Sequence, residues 1–146
     1  KFMTLDGEVK TYSKNEMVFA YRKTTFPSKG GIVIEAELDL EKGDITDIHR
    51  EMDKYLSRRS STQPLTMPNS GSIFKNPDGK NAGRLIESAG LKGFRIGGAG
   101  VSIKHANFIV NKGGASAEDV IRLIKHIQTV VEKKSGIKLE QEIVII

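Results

Sequence analysis

The chain contains no cysteine and no tryptophan. Without thiols, disulfides, thiolate metal sites and cysteine nucleophiles are excluded, and a reducing compartment suits the composition. Proline is sparse, with four in 146 residues. No apolar run approaches the roughly 20 residues of a membrane helix, and no signal-peptide pattern opens the chain. Acidic residues are outnumbered, 18 against 23 Lys and Arg, giving a formal net charge of +5. That balance favours anionic partners, whether phosphates, nucleotides or nucleic acid, without choosing among them. The remainder is ordinary for a globular domain, at 38% hydrophobic and 28% charged residues. Both ends read as cut. Lys1 starts on a hairpin already under way, and EIVII stops on an apolar run, so a piece of a longer protein is expected.

FMTL and VKTY flank Asp6-Gly7, which predicts a β-hairpin because Gly accepts positive φ. Ser13 and Glu16 carry capping-box spacing for a short turn at KNEM. GIVIEAELDL predicts the best strand of the chain, with Ile32, Ile34, Ala36 and Leu38 alternating with Val33, Glu35, Glu37 and Asp39. Asp44 caps a helix over about residues 45–58, whose buried face is Ile45, Ile48, Met52, Tyr55 and Leu56. Residues 59–81 read as a long functional connection. A short helix in AGRLIESAG ends at Gly90, and the glycines at 93, 97, 98 and 100 keep the next segment from continuing as helix. ANFIVN predicts a strand. Ser116, with Asp119 three residues on, opens the longest helix, striped by Val120, Leu123, Ile124, Ile127, Val130 and Val131. EIVII predicts a closing strand. The fold class is α+β, with a boundary in the 59–64 stretch.

The chemistry concentrates in GSIFKNPDGKNAG, which sets Ser72, Lys75 and Asn76 around Phe74. It lacks the GxxxxGK[ST] of a P-loop. Ser72 has neither a GxSxG elbow nor a nearby histidine to act as base, so a Ser-His hydrolase is unsupported. GFRIGGAG misses GxGxxG spacing, and GLKG lacks the following helix of a KH loop, so nucleic-acid binding is not expected. His49, His105 and His126 have no metal-ligand spacing. His49 and His126 read as structural helix residues, whereas His105 in SIKHANF suits substrate positioning and turn capping equally. Arg22 in FAYRKTTF fits a solvated strand-edge arginine or a planar fork for carboxylate or phosphate. Glu142 in LEQEIVII fits an edge residue or a site carboxylate.

Taken in order, YRKTTF, RRSSTQPLTMPNSGSIFKNP, AGRLIESAGLKGFRIGGAGVSIKHANFIVN and LEQEIVII resemble the C-terminal part of the UDP-N-acetylenolpyruvoylglucosamine reductase family, the flavoenzymes called MurB. The resemblance implies reduction of UDP-N-acetylglucosamine enolpyruvate to UDP-N-acetylmuramate, a cytoplasmic step of peptidoglycan synthesis, with NADPH as reductant and FAD as carrier. It implies catalytic roles for Arg22, Ser72 as proton donor, and Glu142. Tyr21, Lys75, Asn76 and His105 are then substrate-binding candidates, with Lys75 either beside the serine or on a substrate phosphate. Residues 1–62 correspond to the end of the FAD-binding domain and 63–146 to the substrate-binding domain. The principal flavin loops, and hence most FAD contacts, lie in an N-terminal half that this chain lacks. Thr24 and Gln141 depart from the family pattern, which has Ser and commonly Pro there. The rival class is a non-catalytic nucleotide-sugar or RNA-binding module.

Overall fold

Asp6-Gly7 turns the chain as its chemistry predicts. In the computed structural model, which describes residues 1–26 and 30–145, β1 (Phe2–Thr4) pairs antiparallel with β2 (Val9–Lys10). Gly7 sits at φ 84°, where a side chain would be strained, and its N–H donates to Thr4 O at 3.0 Å. Ser13 N donates to Glu16 Oε2 at 2.8 Å over the short 3-10 turn Lys14–Glu16, meeting the capping-box expectation. The strands β3 (Phe19–Ala20) and β4 (Lys23–Thr24) form a second hairpin. Its two-residue turn is Tyr21-Arg22.

The long strand expected over 31–40 is short: only β5 (Gly31–Val33) pairs, alongside β1, giving the sheet order β2-β1-β5. The reason lies in the partner. Pairing stops at Val33, opposite Phe2 where β1 begins, and the Ile34 and Glu35 amides both turn to Lys1 O. Alternation marks a strand-compatible segment but supplies no neighbour for it. These elements belong to the compact unit Lys1–Asp44, which is separate from Ile45–Ile146.

The second unit begins with α1 (Ile45–Thr62), four residues longer than the periodicity suggested. Ser61 and Thr62 hydroxyls donate back to Arg58 O, and the helix stops just before Pro64, whose ring disfavours helix in the preceding residue. The expected buried face is not buried: Ile45, Ile48, Met52, Tyr55 and Leu56 are 46–69% exposed. A 3.6-residue period identifies the apolar face of a helix, whereas burial needs a second element against it.

After α1 come β6 (Asn69–Ser72), α2 (Ala82–Ser88), β7 (Arg95–Ile96), β8 (Ala99–Val101), β9 (Phe108–Asn111) and α3 (Ala117–Ser135). The four strands make an antiparallel sheet in the order β6-β9-β8-β7. Asn81 Oδ1 accepts from Arg84 N to cap α2, and the Ser116–Asp119 pair caps α3 reciprocally. Leu123, Ile124, Ile127 and Val131 of α3 are at most 1% exposed and join Ile73, Phe74, Ile86, Val101 and Leu139 in one core. Each such side chain contributes roughly 1.5–3 kcal/mol of burial.

The β7–β8 hairpin turns on Gly97-Gly98, a Gly-Gly hairpin signal that the helix-breaking reading passed over. A Cβ on Gly98 would lie 2.4 Å from Ala115 N, so this glycine is required by close backbone approach. The closing strand is reduced to one bridge, Gln141 with Phe74, while Val144 and Ile145 are exposed. Ile146 lies outside the described residues.

Candidate functional site

Ser72 ends β6, opposite Phe108 of β9, in a place where the sequence suggested a loop. The chain then continues through residues 73–75 with both backbone edges engaged. On one edge Ile73 O accepts from Glu142 N at 2.8 Å, and Lys75 N donates to Glu140 O at 2.9 Å. On the other, Ile73 N donates to Asn107 O at 2.9 Å. Main-chain pairing thereby brings the half-buried Ser72 and Glu142 onto neighbouring segments.

Asn107 completes the second edge. It is 4% exposed, and its Oδ1 accepts from Phe74 N at 3.0 Å while its Nδ2 donates to Phe74 O at 2.8 Å. Its own N–H donates to His105 Nδ1 at 3.2 Å. That bond fixes Nδ1 of the neutral His105 ring as acceptor and leaves the proton on Nε2. The ring also meets Phe108 edge-on at 4.8 Å between centroids. Burial first, then the Lys92 ammonium, holds its pKa below the ordinary 6.5.

Lys75 and Asn76 follow in the same loop. The Lys75 ammonium is bound by the Glu140 carboxylate rather than by Ser72, in a largely exposed pair worth at most about 1 kcal/mol. Asn76 Oδ1 accepts from Ala82 N at 3.0 Å and so braces the start of α2. In the Lys1–Asp44 unit, Tyr21 and Arg22 are exposed at their hairpin turn. The Arg22 guanidinium carbon lies 5.7 Å from the Tyr21 ring centroid. Arg22 has φ 58°, making it the non-glycine residue with positive φ among those described. Holding a long side chain there costs on the order of 1–2 kcal/mol.

The family described as UDP-N-acetylenolpyruvoylglucosamine reductase, C-terminal domain, matches residues 63–146. The chain belongs to this family. It is 46% identical over 144 residues to the UDP-N-acetylenolpyruvoylglucosamine reductase of Shouchella clausii, covering 99% of this chain and 46% of that protein. The Clostridium perfringens reductase is 46% identical over 138 residues, which are 94% of this chain and 45% of that one. The crystal structure of the reductase (MurB) from Thermus caldophilus matches with a TM-score of 0.80 and 38% identity, over 97% of this chain and 50% of that chain. The chain therefore spans about half the length of the reductases it matches.

The bonds flanking Gln141 use Glu140 O and Glu142 N, so the bridge does not require an N–H at position 141. Thr24, the other departure, accepts from Phe26 N at 3.0 Å through its hydroxyl.

Asn107 escaped the sequence reading because a lone Asn inside ANFIVN carries no motif. A polar residue interrupting an apolar strand was the available signal. Also missed was a cleft of about 690 Å³ lined by Pro64, Met67, Val110, Arg95, Lys104 and Lys112. Its apolar floor and three cations suit an anionic group, and only the sheet brings those distant cations together.

Proposed function

We propose that this chain is the catalytic and substrate-binding C-terminal part of a UDP-N-acetylmuramate-forming reductase of cytoplasmic peptidoglycan synthesis. In this reading residues 1–62 close the FAD-binding domain and 63–146 form the substrate-binding domain. The observation that carries it is the main-chain pairing of the Ser72 segment with the Glu142 segment.

Among the described residues, the glycine-rich hairpin offers no cradle for FAD. The glycine-rich stretch nearest to one is a hairpin whose Gly98 is closed off by the Ala115 backbone. A flavin held by the rest of the reductase and reduced by NADPH would supply the hydride. The residues of this chain do the rest. As hydride adds at C3 of the enolpyruvyl group, negative charge develops on the conjugated carboxylate. Arg22 offers a charged planar fork to those oxygens, and one such preorganised donor is worth roughly 3–4 kcal/mol. Ser72 Oγ delivers the proton to C2, so the C=C bond gains one hydride and one proton and becomes the lactyl ether. Glu142 is the third catalytic residue of this reading, on the segment paired with that of Ser72. Tyr21, Asn76 and His105 orient the UDP-aminosugar, His105 through its Nε2–H. Lys75, bound by Glu140 in this structure, serves either the serine or a substrate phosphate.

Arg22→Lys in the full-length reductase tests the fork. Product formation should fall roughly 100-fold, as for loss of one transition-state donor, with substrate binding weakened less. Rates within twofold of the parent would reject the role. A chain that binds RNA in titration and ignores the UDP-aminosugar would favour the binding-module alternative.

A further inference from the structure

We propose that Asn107 is a positioning residue that sets Ser72 and Glu142 in register through one side-chain clamp on Phe74. The proposal rests on the catalytic reading of Ser72 given above. The clamp stands in for a missing strand. In an antiparallel ladder a residue of a non-hydrogen-bonded pair presents its own N–H and C=O to the opposite edge. Phe74 faces Gln141 on one edge, without a backbone bond between the two residues themselves. Its N–H and C=O point away, toward Asn107, where the carboxamide accepts one bond and donates the other.

The carboxamide matches a peptide unit in both donor and acceptor, so it imitates the ladder partner that β9 does not extend to supply. The side chain holds Phe74, and the Asn107 backbone adds bonds of its own to Ile73 and His105. Ser72 is two residues before the clamped Phe74, and Ile73 between them bonds both Asn107 O and Glu142 N. The Asn107 N–H holds the His105 ring by Nδ1. At 4% exposure the group is shielded from water. An unsatisfied buried amide is expensive, so the geometry is strongly preferred over any alternative. Leucine could fill the volume but would leave the Phe74 N–H and C=O without these partners.

Two variants separate positioning from mere stability. Asn107→Asp keeps the shape and the acceptor but removes the donor to Phe74 O; Asn107→Ser removes the clamp without adding a buried charge. In Asn107→Ser, which removes the acceptor of the Phe74 N–H, Phe74 amide exchange should accelerate at least tenfold relative to Val110, which reports on the sheet, whereas Asn107→Asp keeps that acceptor and should change it less. In the full-length reductase, oxidation of the reduced flavin by saturating enolpyruvyl substrate should slow 10- to 100-fold. Flavin reduction by NADPH, which uses neither Ser72 nor Glu142, should stay within twofold. Equal losses in both half-reactions, or a normal product-forming step despite lost Phe74 protection, would overturn the proposal. In the parent protein, a Phe74 amide that exchanges as fast as those of α1 would overturn it without any variant. Ser72→Ala serves as the control. Impairment there with a normal Asn107→Asp removes the clamp role alone, whereas a normal Ser72→Ala removes the catalytic reading and the positioning role with it.

Discussion

The two compact units use the same amino-acid alphabet to opposite effect. In Ile45–Ile146, the apolar stripe of α3 meets a four-stranded sheet and α2, and Leu123, Ile124, Ile127 and Val131 are at most 1% exposed. In Lys1–Asp44, Phe2 stacks on Phe26 at 5.2 Å, yet Leu5, Phe19, Ile32, Leu38 and Leu40 are all more than half exposed. The α1 helix behaves like the first unit, periodic but uncovered. An apolar period therefore reports what a segment is able to bury, and the presence of a partner decides whether it does.

The largest expected effect breaks this comparison directly. Ile127→Asp places an unpaired charge where exposure is 0% and should cost more than about 4 kcal/mol in denaturant unfolding. Met52→Asp, on the open face of α1, should change stability by no more than about 0.5 kcal/mol. Similar losses at both positions would mean that α1 is covered in solution. Gly98→Ala is next. Its Cβ meets backbone rather than a yielding side chain, so a loss of roughly 1–3 kcal/mol is expected, measured by the same unfolding curves.

The smallest effect concerns His105. Its folded-state pKa is depressed, so the unfolded chain takes up this proton first as pH falls. The associated stability is complete above the ordinary 6.5 and is lost as pH drops through the folded-state value. His105→Asn should flatten that part of the pH–stability profile. An unchanged slope would place the acid sensitivity elsewhere.

Caps and stripes were legible in the sequence because they are local. Ser116 with Asp119, Ser13 with Glu16, and the α3 periodicity all act within one or two turns. The short β5, the bare face of α1 and the single bridge at Gln141 were not legible, since each depends on a neighbour distant in sequence. The same holds at the site. Ser72, Glu142 and His105 stand out through the family's motif order. Asn107 does not, because its work is done across 33 residues of separation on the Phe74 backbone. The strained φ of Arg22 is likewise a property of the hairpin turn, which was not read from the Tyr21-Arg22 sequence.

The central claim is that Ser72, seated beside the Glu142 segment, delivers the proton that completes the reduction. Its most direct test is the rate at which UDP-N-acetylglucosamine enolpyruvate oxidises the reduced flavin in full-length Ser72→Ala. Loss of a positioned general acid should slow that step by about 10²–10⁴-fold, while NADPH still reduces the flavin at the parent rate. An oxidation rate equal to the parent's would contradict the account.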